Sequence, residues 1–107
     1  MKILFDQGTP APLHRHLAAH HVDTAYERGW SALANGDLLA EAERGSYALL
    51  VTTDRNLRYQ QNLATRQIAI VVLLSTSWPR IQRNISIIQT VIDTIVPGAY
   101  YEIPIPR

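Results

Sequence analysis

The chain has 107 residues, of which 47% are hydrophobic and 18% are charged, so it is predicted to fold as one globular domain with its own core. It contains no cysteine, which excludes disulfides and thiolate metal sites. The start of the chain shows no secretory-type apolar segment, and no apolar run is long enough to span a bilayer, which favours a cytoplasmic protein.

Charge is unevenly distributed along the chain, although the net charge is only +1. Residues 1–54 hold seven acidic and four basic side chains, whereas residues 55–107 hold two acidic and six basic ones. Nine of the ten basic residues are arginine, which is well suited to bidentate phosphate contacts. A genome rich in arginine codons would give the same composition.

The first elements are a strand and a short helix. The apolar run Lys2–Phe5 predicts a buried strand, which the acid Asp6 closes. Thr9 is predicted to be the N-cap of a helix that has Pro10 at its first position and ends near Leu17. Residues 20–25 predict a weaker second strand, followed by a loop.

A second helix is predicted to follow the turn-forming pair Asn-Gly. Asp37 is placed at its N-cap or in its first turn, and the helix extends to about Arg44. Gly45 is predicted to end this helix as a left-handed residue. Residues 47–52 then predict the next buried strand, and Asp54 follows it.

The rest of the chain continues the alternation of strands and helices. Residues 54–65 predict a turn and a polar helix, and residues 67–74 predict the most apolar strand of the chain. Residues 99–103 predict a strand at the edge of the sheet, since prolines follow it. Between these two strands, one continuous helix is indicated by a stripe of isoleucines at positions 81, 85, 88, 92 and 95.

This order predicts an α/β protein, with a three-layer α/β/α Rossmann-like fold and a mainly parallel sheet of four to five strands. If the strand order is 2-1-3-4, the topological switch point falls between strands 1 and 3. Asp6 and Asp54 then stand at the carboxyl ends of neighbouring strands. Asp37 is placed to join them from the second helix, with Glu41 one turn further along.

Such a group of acids predicts a cation site. Converging carboxylates repel one another, and a hard divalent ion such as Mg²⁺ relieves that repulsion. An ion held there can activate water for phosphodiester hydrolysis. The backbone of a nucleic acid would then be held by arginines downstream, at positions 55, 58, 80 and 83.

Four stretches of the sequence resemble small PIN-like proteins, a compact branch of the PIN nuclease superfamily: Ile3–Asp6, Asn35–Leu39, Val51–Leu57 and Ile68–Leu73. The resemblance implies a ribonuclease centre that uses Mg²⁺ or Mn²⁺, with Asp6, Asp37 and Asp54 as catalytic acids and metal ligands. It also implies a role as the toxin of a toxin–antitoxin pair. The expected partners are RNA, held by Arg55, Arg58 and Asn56, an antitoxin protein, and a second copy of the chain.

The sequence departs from the family pattern at Gln7, where relatives often carry a second acid. A catalytically degenerate PIN-like binding module is therefore the alternative function. A phosphoacceptor receiver domain is set aside, because it needs a lysine at a later strand end and the sequence has only Lys2.

Other polar and aromatic residues have competing interpretations. His14, His16, His20 and His21 are better explained as surface side chains than as a metal site, since none forms a zinc-binding helical pattern. Trp30 and Trp78 are expected to pack against the core and not to stack on bases. The amide-rich stretch contacts either a cleft or solvent, through residues 56, 60, 61 and 62.

Overall fold

Five parallel strands form a single sheet in the computed structural model, which describes residues 1–57 and 66–107. The strands are β1 (Lys2–Phe5), β2 (His21–Thr24), β3 (Leu49–Thr52), β4 (Ala69–Leu73) and β5 (Tyr100–Ile103). Their spatial order is β2-β1-β3-β4-β5, and every neighbouring pair is parallel. This confirms the α/β class, the predicted strand order and the edge position of the last strand.

A 3-10 helix and three α-helices connect these strands in the described part of the chain. The 3-10 helix is Ala11–His16, and the α-helices are α1 (Asn35–Arg44), α2 (Trp78–Gln82) and α3 (Ile85–Thr94). None of the helices in residues 1–57 and 66–107 has the length and apolar character needed to cross a membrane.

Successive side chains of each strand point to opposite sides of the sheet, and the buried residues form two separate clusters. On one face, Ile3 and Phe5 join a buried cluster with residues of the 3-10 helix, α2 and α3. On the other face, Leu4 joins a second buried cluster with Leu38 and Leu39 of α1. Both sides of the central strands are therefore shielded from solvent, which explains why their sequences are continuously apolar.

The prediction of one continuous helix over residues 81–95 is wrong. α2 ends at Gln82, and Asn84 has φ −120° and ψ 24°, outside the helical range. The Asn84 side chain donates hydrogen bonds to the carbonyls of Arg80, at 2.8 Å, and Pro106, at 3.0 Å. A side chain that bonds to the backbone in this way competes with helical hydrogen bonding. The isoleucine stripe survives the break, since Ile81 and Ile88 are both fully buried.

The predicted cap of the first helix is also wrong. The N-cap is Pro10, not Thr9, and the helix is of the 3-10 type. The Thr9 hydroxyl instead donates to Asp6 Oδ1 at 2.7 Å and to the Val51 carbonyl at 2.9 Å. It therefore binds the strand ends and not the helix N–H groups. Leu13 of this helix is fully buried, in the same cluster as Ile3 and Phe5 of β1.

Gly45 does not have the predicted left-handed conformation. Its φ is −81°, and the next residue, Ser46, has φ 64°. A Cβ at Gly45 would lie 3.0 Å from the Tyr47 ring, and its carbonyl accepts a hydrogen bond from Lys2 Nζ at 2.6 Å. The glycine therefore allows a close approach between the end of α1 and the start of β3.

The predicted polar helix over residues 54–65 falls mainly outside the described residues. Its first buried residue, Leu57, joins the cluster beneath α1. Arg58 and the amides at positions 60, 61 and 62 lie outside the described residues.

Candidate functional site

The candidate site lies at the carboxyl ends of β1 and β3. These strands are neighbours, and β2 pairs with β1 on the side away from β3. The chain therefore leaves β1 toward one edge of the sheet and later enters β3 on the other side of β1, which makes the gap between them the topological switch point. Asp6 directly follows β1, and Asp54 stands two residues beyond β3. The predicted placement of both acids is confirmed.

Two buried threonines hold the Asp6 carboxylate. The Thr9 hydroxyl donates to Oδ1, and the Thr52 hydroxyl donates to Oδ2. Thr9 is 6% exposed and Thr52 is fully buried, so solvent does not compete for either hydroxyl. The Asp6 backbone N–H donates to the Val51 carbonyl at 3.1 Å, which continues the pairing of the two strands. The orientation of this carboxylate is thus set by groups on β3 and on the loop after β1.

The Asp54 carboxylate is held from two sides. Its Oδ1 accepts a hydrogen bond from the Asn56 backbone N–H at 2.9 Å, which closes an Asx turn. Its Oδ2 accepts one from Asn35 Nδ2 at 2.8 Å, and Asn35 is the first residue of α1. The Asp54 backbone N–H donates to the Thr52 hydroxyl at 3.1 Å. Thr52 therefore links Asp54 to Asp6.

Asp37 lies in the first turn of α1, as the sequence predicted, and its side chain is exposed. Glu41, one turn further, forms an ion pair with Arg44 at the outer surface of the helix. Within residues 1–57 and 66–107, no three histidine or acidic side chains are grouped closely enough to hold a metal ion together. The side chain of α1 that contacts Asp54 is Asn35, so the three-acid site with Asp37 stays a prediction.

A cleft of about 160 Å³ opens beside these groups. Asp6, Gln7 and Asn35 supply its polar wall, and the loop after β2 supplies Trp30 and Leu33. Its volume is well above the minimum needed to hold a water molecule. Trp30 packs edge-on against Tyr47, at 6.1 Å between ring centroids, and belongs to the cluster beneath α1. Its predicted packing role is confirmed, and it also lines this cleft.

Arginines border the same carboxyl edge of the sheet. Arg55 is exposed, and its guanidinium donates to the Leu74 carbonyl, just past β4, at 2.9 Å. Arg80 donates to the Ile105 carbonyl at 2.7 Å, and its Nε is buried with no hydrogen-bond partner among the described residues. Arg83 is exposed. Two cationic groups are thus anchored to loops that follow β4 and β5.

Three of the histidines lie elsewhere and pair with acids or rings. His20 Nε2 is 2.8 Å from Asp93 Oδ1, and its Nδ1 accepts a hydrogen bond from the N-terminal amine at 3.0 Å. His21 pairs with Asp23, and the His16 ring lies 6.1 Å from Trp78. A cleft of about 360 Å³ borders His16 and His20, near the amino end of β2. The smaller cleft is the better candidate, since ligands of open α/β sheets bind at the carboxyl ends of strands.

A second polar contact, between Tyr47 and Asp23, involves no residue that lines the smaller cleft. The Tyr47 hydroxyl donates to Asp23 Oδ2 at 2.5 Å, and Lys2 Nζ lies 4.3 Å from the Tyr47 ring centroid. Burial and the Asp23 carboxylate raise the pKa of Tyr47 to about 12. Burial alone would raise the pKa of Asp23, but hydrogen bonds from Tyr47 and His21 outweigh it and lower that pKa below 3.8. The pair joins β2 to the start of β3.

Sequence reasoning missed three residues that hold the acids: Thr9, Thr52 and Asn35. Thr52 carried a usable signal, because it is a polar residue at the end of a buried strand, two positions before an acid. The signal at Asn35 was weaker, because an asparagine followed by glycine is typical of a turn and does not by itself indicate a contact with an acid. Thr9 gave a misleading signal, because a threonine before proline usually caps a helix.

Comparison with protein-family models, with curated proteins and with solved structures found no match to this chain. The resemblance to PIN-like proteins therefore stays a prediction that rests on the four stretches named above.

Proposed function

We propose that this chain is a metal-dependent ribonuclease of PIN-like type, with a three-layer α/β/α fold and a single Mg²⁺ or Mn²⁺ ion. The observation that carries the proposal is the link from Asp6 through the Thr52 hydroxyl to Asp54 at the switch point of the sheet. Hydrogen bonds hold both carboxylates in fixed orientations at neighbouring strand ends, and Asp6 and the Asn35 partner of Asp54 line a polar cleft.

The donor set fits a hard cation. Mg²⁺ in proteins is commonly held by one or two carboxylates and keeps several waters. Asp6 and Asp54 supply those carboxylates, and each oxygen that accepts a protein hydrogen bond keeps a second lone pair. Asp37 is exposed in the first turn of α1, two residues after Asn35, and is assigned to an ion-bound water and not to the ion itself. When bound, the ion would supply an activated water and polarise the phosphodiester.

The chain's own residues bind and orient the substrate in this proposal. Arg55 presents a cation at the rim, anchored on the Leu74 carbonyl, and Asn56 lies beside it with an exposed side chain. Arg80 extends the positive rim toward the loop after β5. Phosphate contacts of this kind are independent of sequence. RNA is therefore held by its backbone, with Arg58 as a further predicted contact.

The test is cleavage of a labelled RNA in the presence of Mn²⁺, with and without a chelator. Asp6→Asn and Asp54→Asn are expected to lower cleavage by at least about a hundredfold, a loss of roughly 2.7 kcal/mol of transition-state stabilisation. Asp93→Asn is the matched control, because Asp93 pairs with His20 and lies outside the cleft. Equal cleavage by wild type and by both site variants would overturn the proposal.

A catalytically degenerate PIN-like binding module is the second candidate. Gln7 lines the cleft where relatives often carry an acid, and each oxygen of Asp6 and Asp54 already accepts a hydrogen bond from the protein. Thermal unfolding with added Mn²⁺ separates the two functions. An ion at about 100 times its dissociation constant stabilises the native state by roughly 2.7 kcal/mol. RNA binding without any metal-induced stabilisation would favour the binding module.

The biological setting of the proposed activity is the cytoplasm, where the chain would act as a toxin neutralised by an antitoxin protein. Induced expression tests this directly. Growth arrest is expected for the wild type and not for Asp54→Asn. Normal growth with an active ribonuclease would exclude the toxin role and leave the activity in place.

A further inference from the structure

The larger cleft lies between the loop that follows the 3-10 helix and α3. Its volume is about 360 Å³, which falls in the range of small-molecule sites. Residues 15–20 form one wall, and Gln89 and Asp93 of α3 form the other, so we call it the histidine cleft. The histidine cleft and the cleft at Asp6 share no described residue. The proposed ribonuclease activity therefore gives the histidine cleft no role.

Two hydrogen bonds tie the walls of the histidine cleft together. Gln89 Nε2 donates to the His16 carbonyl at 2.8 Å. His20 Nε2 lies 2.8 Å from Asp93 Oδ1, and it carries the donated proton because Nδ1 accepts from the N-terminal amine. Gln89 and Asp93 are one turn apart on α3, so both bonds leave the same face of that helix. The cleft is therefore formed before any ligand binds, as small-molecule sites usually are.

The histidine cleft holds positive and hydrogen-donating groups that have no partner. Asp93 is the only acid among the described residues that line it, and its carboxylate already accepts a hydrogen bond from His20. The Arg15 guanidinium forms neither a hydrogen bond nor an ion pair in the described part of the chain. The His16 ring lies 6.1 Å from the Trp78 ring, and its nitrogens bond to no described residue. This balance of charge favours an anion as the ligand.

The backbone of the loop adds neutral donors to the same cleft. The Leu17 carbonyl accepts the His20 N–H at 2.9 Å, which closes the turn. The N–H groups of Ala18 and Ala19, within that turn, donate no hydrogen bond to any of residues 1–57 and 66–107. Successive free N–H groups in a turn form concavities that bind anions. The loop therefore supplies the donors that phosphate oxygens accept, next to a free guanidinium.

We infer that the histidine cleft binds the phosphate group of a phosphate monoester. Arg15 and the N–H groups of Ala18 and Ala19 are its main contacts, and the His16 ring donates a further hydrogen bond. A monoester presents three strong acceptor oxygens, whereas a carboxylate presents two, so several donors are better used by the monoester. The cleft is larger than a phosphate group, and the organic part of the ester fills the remaining space.

Titration of the full chain with adenosine monophosphate in the presence of a chelator, followed by amide NMR, tests the inference. Shifts of the Ala18 and Ala19 amides are expected at millimolar ligand. Inorganic phosphate is expected to shift the same amides, acetate to shift them less, and adenosine, which lacks the phosphate, to leave them in place. Equal shifts with adenosine, or shifts at Asp6 and Thr52 alone, would overturn the inference.

Two substitutions in the walls are expected to change the affinity in opposite directions. Arg15→Gln removes the unpaired guanidinium and is expected to weaken binding of the monophosphate about tenfold. Asp93→Asn removes the acid but keeps an oxygen that accepts from His20, and it is expected to strengthen binding about fivefold. A cation site would respond in the reverse sense, which would overturn the inference. Both side chains are exposed, so folding is expected to be retained, which thermal unfolding checks.

Arg44→Gln is the matched control, because Arg44 pairs with Glu41 on α1 and lies outside the histidine cleft. It is expected to bind the monophosphate like the wild type. Equal affinity of Arg15→Gln and wild type, or a wild type that binds neither phosphate nor monophosphate at millimolar concentration, would overturn the inference. RNA cleavage by Arg15→Gln is expected to match the wild type, so failure of the proposed activity and failure of this site give different results.

A phosphate monoester can be a free metabolite or the phosphorylated end of an RNA, and both present the same group to the histidine cleft. Competition between adenosine monophosphate and a short RNA with a terminal phosphate distinguishes the two sources. Tighter binding of the free nucleotide would assign the site to a metabolite, and tighter binding of the RNA would assign it to a nucleic-acid end. The same RNA without its terminal phosphate is expected not to compete, and competition by it would overturn the inference.

Discussion

The hydroxyl of Thr52 donates to Asp6 Oδ2 and accepts the backbone N–H of Asp54 at 3.1 Å. One fully buried hydroxyl thus holds the strand-end acid of β1 and fixes the start of the turn that carries the acid of β3. The relative position of the two carboxylates depends on this contact. The substitutions Thr52→Val, Asn35→Asp and Gly8→Ala test the contacts around it.

Thr52→Val keeps the shape of the side chain and removes the hydroxyl. The Asp6 carboxylate loses a donor and the Asp54 N–H loses its acceptor, so the free energy of unfolding is expected to fall by about 1–3 kcal/mol. Thr52→Ser keeps the hydroxyl and is the control. Urea denaturation measures both variants, and Mn²⁺ titration is expected to show weaker binding for the valine variant alone. Equal metal affinity for the two variants would mean that Thr52 does not position the acids.

Asn35→Asp places a third carboxylate against Asp54 Oδ2, where the amide now donates at 2.8 Å. Repulsion between the two acids is expected to lower the melting temperature without metal. A bound cation relieves that repulsion, so the stabilisation by Mn²⁺ is expected to exceed that of the wild type.

Asn84→Asp is the matched control for this substitution, because Asn84 hydrogen-bonds to backbone carbonyls beside α2. It is expected to destabilise the chain equally with and without Mn²⁺. A metal-induced shift in the Asn35→Asp variant no larger than that of the wild type would argue against a cation at Asp54.

The sequence predicts the sheet and the two strand-end acids because both depend on patterns that are local in the chain. Continuous apolar runs mark strands covered on both faces, and an acid that ends such a run must stand at a strand end. The parallel order then follows from alternation and the handedness of crossovers. Asp6 and Asp54 could therefore be placed from their neighbours alone.

The contacts that hold these acids could not be predicted in the same way. Thr9 bonds to Asp6 and Val51, and Asn35 bonds to Asp54, so the partners come from distant strands and helices. Local propensity favours capping or turn roles for both residues. The break at Asn84 has the same cause, since one of its side-chain bonds reaches the Pro106 carbonyl.

Tyr47→Phe removes the hydrogen bond to Asp23 and the ionisation of the phenol. The pKa of Tyr47 is raised from 10.0 to about 12 in the folded chain, so the unfolded chain loses its proton first as pH rises. The free energy of unfolding of the wild type exceeds that of the phenylalanine variant at neutral pH. This difference is therefore expected to decrease between about pH 10 and pH 12, by at most about 1.4 kcal/mol per pH unit.

The Tyr47–Asp23 pair is also expected to lose its stabilising effect at low pH, because the Asp23 carboxylate becomes protonated there. The pKa of Asp23 is lowered below 3.8, so its contribution is present above that value and is lost as pH falls through the folded pKa. Denaturation at several pH values measures the loss of stability at high pH and at low pH. Asp23→Asn is expected to abolish the contribution of this pair at low pH. A difference between wild type and Tyr47→Phe that stays constant up to pH 12 would contradict the assigned contact.

Gly8→Ala tests the close approach of the loop after β1 to the end of β3. A Cβ at Gly8 would lie 2.7 Å from Thr53 Oγ1, so one of the two segments must move. The free energy of unfolding is expected to fall by about 1–3 kcal/mol, the usual cost of overpacking. Because Gly8 lies between Asp6 and Thr9, the displaced loop is also expected to weaken Mn²⁺ binding. Thr53→Ala in the same chain removes the obstructing oxygen, so the double variant is expected to recover most of both losses. A double variant no more stable than Gly8→Ala would place the clash elsewhere in the loop.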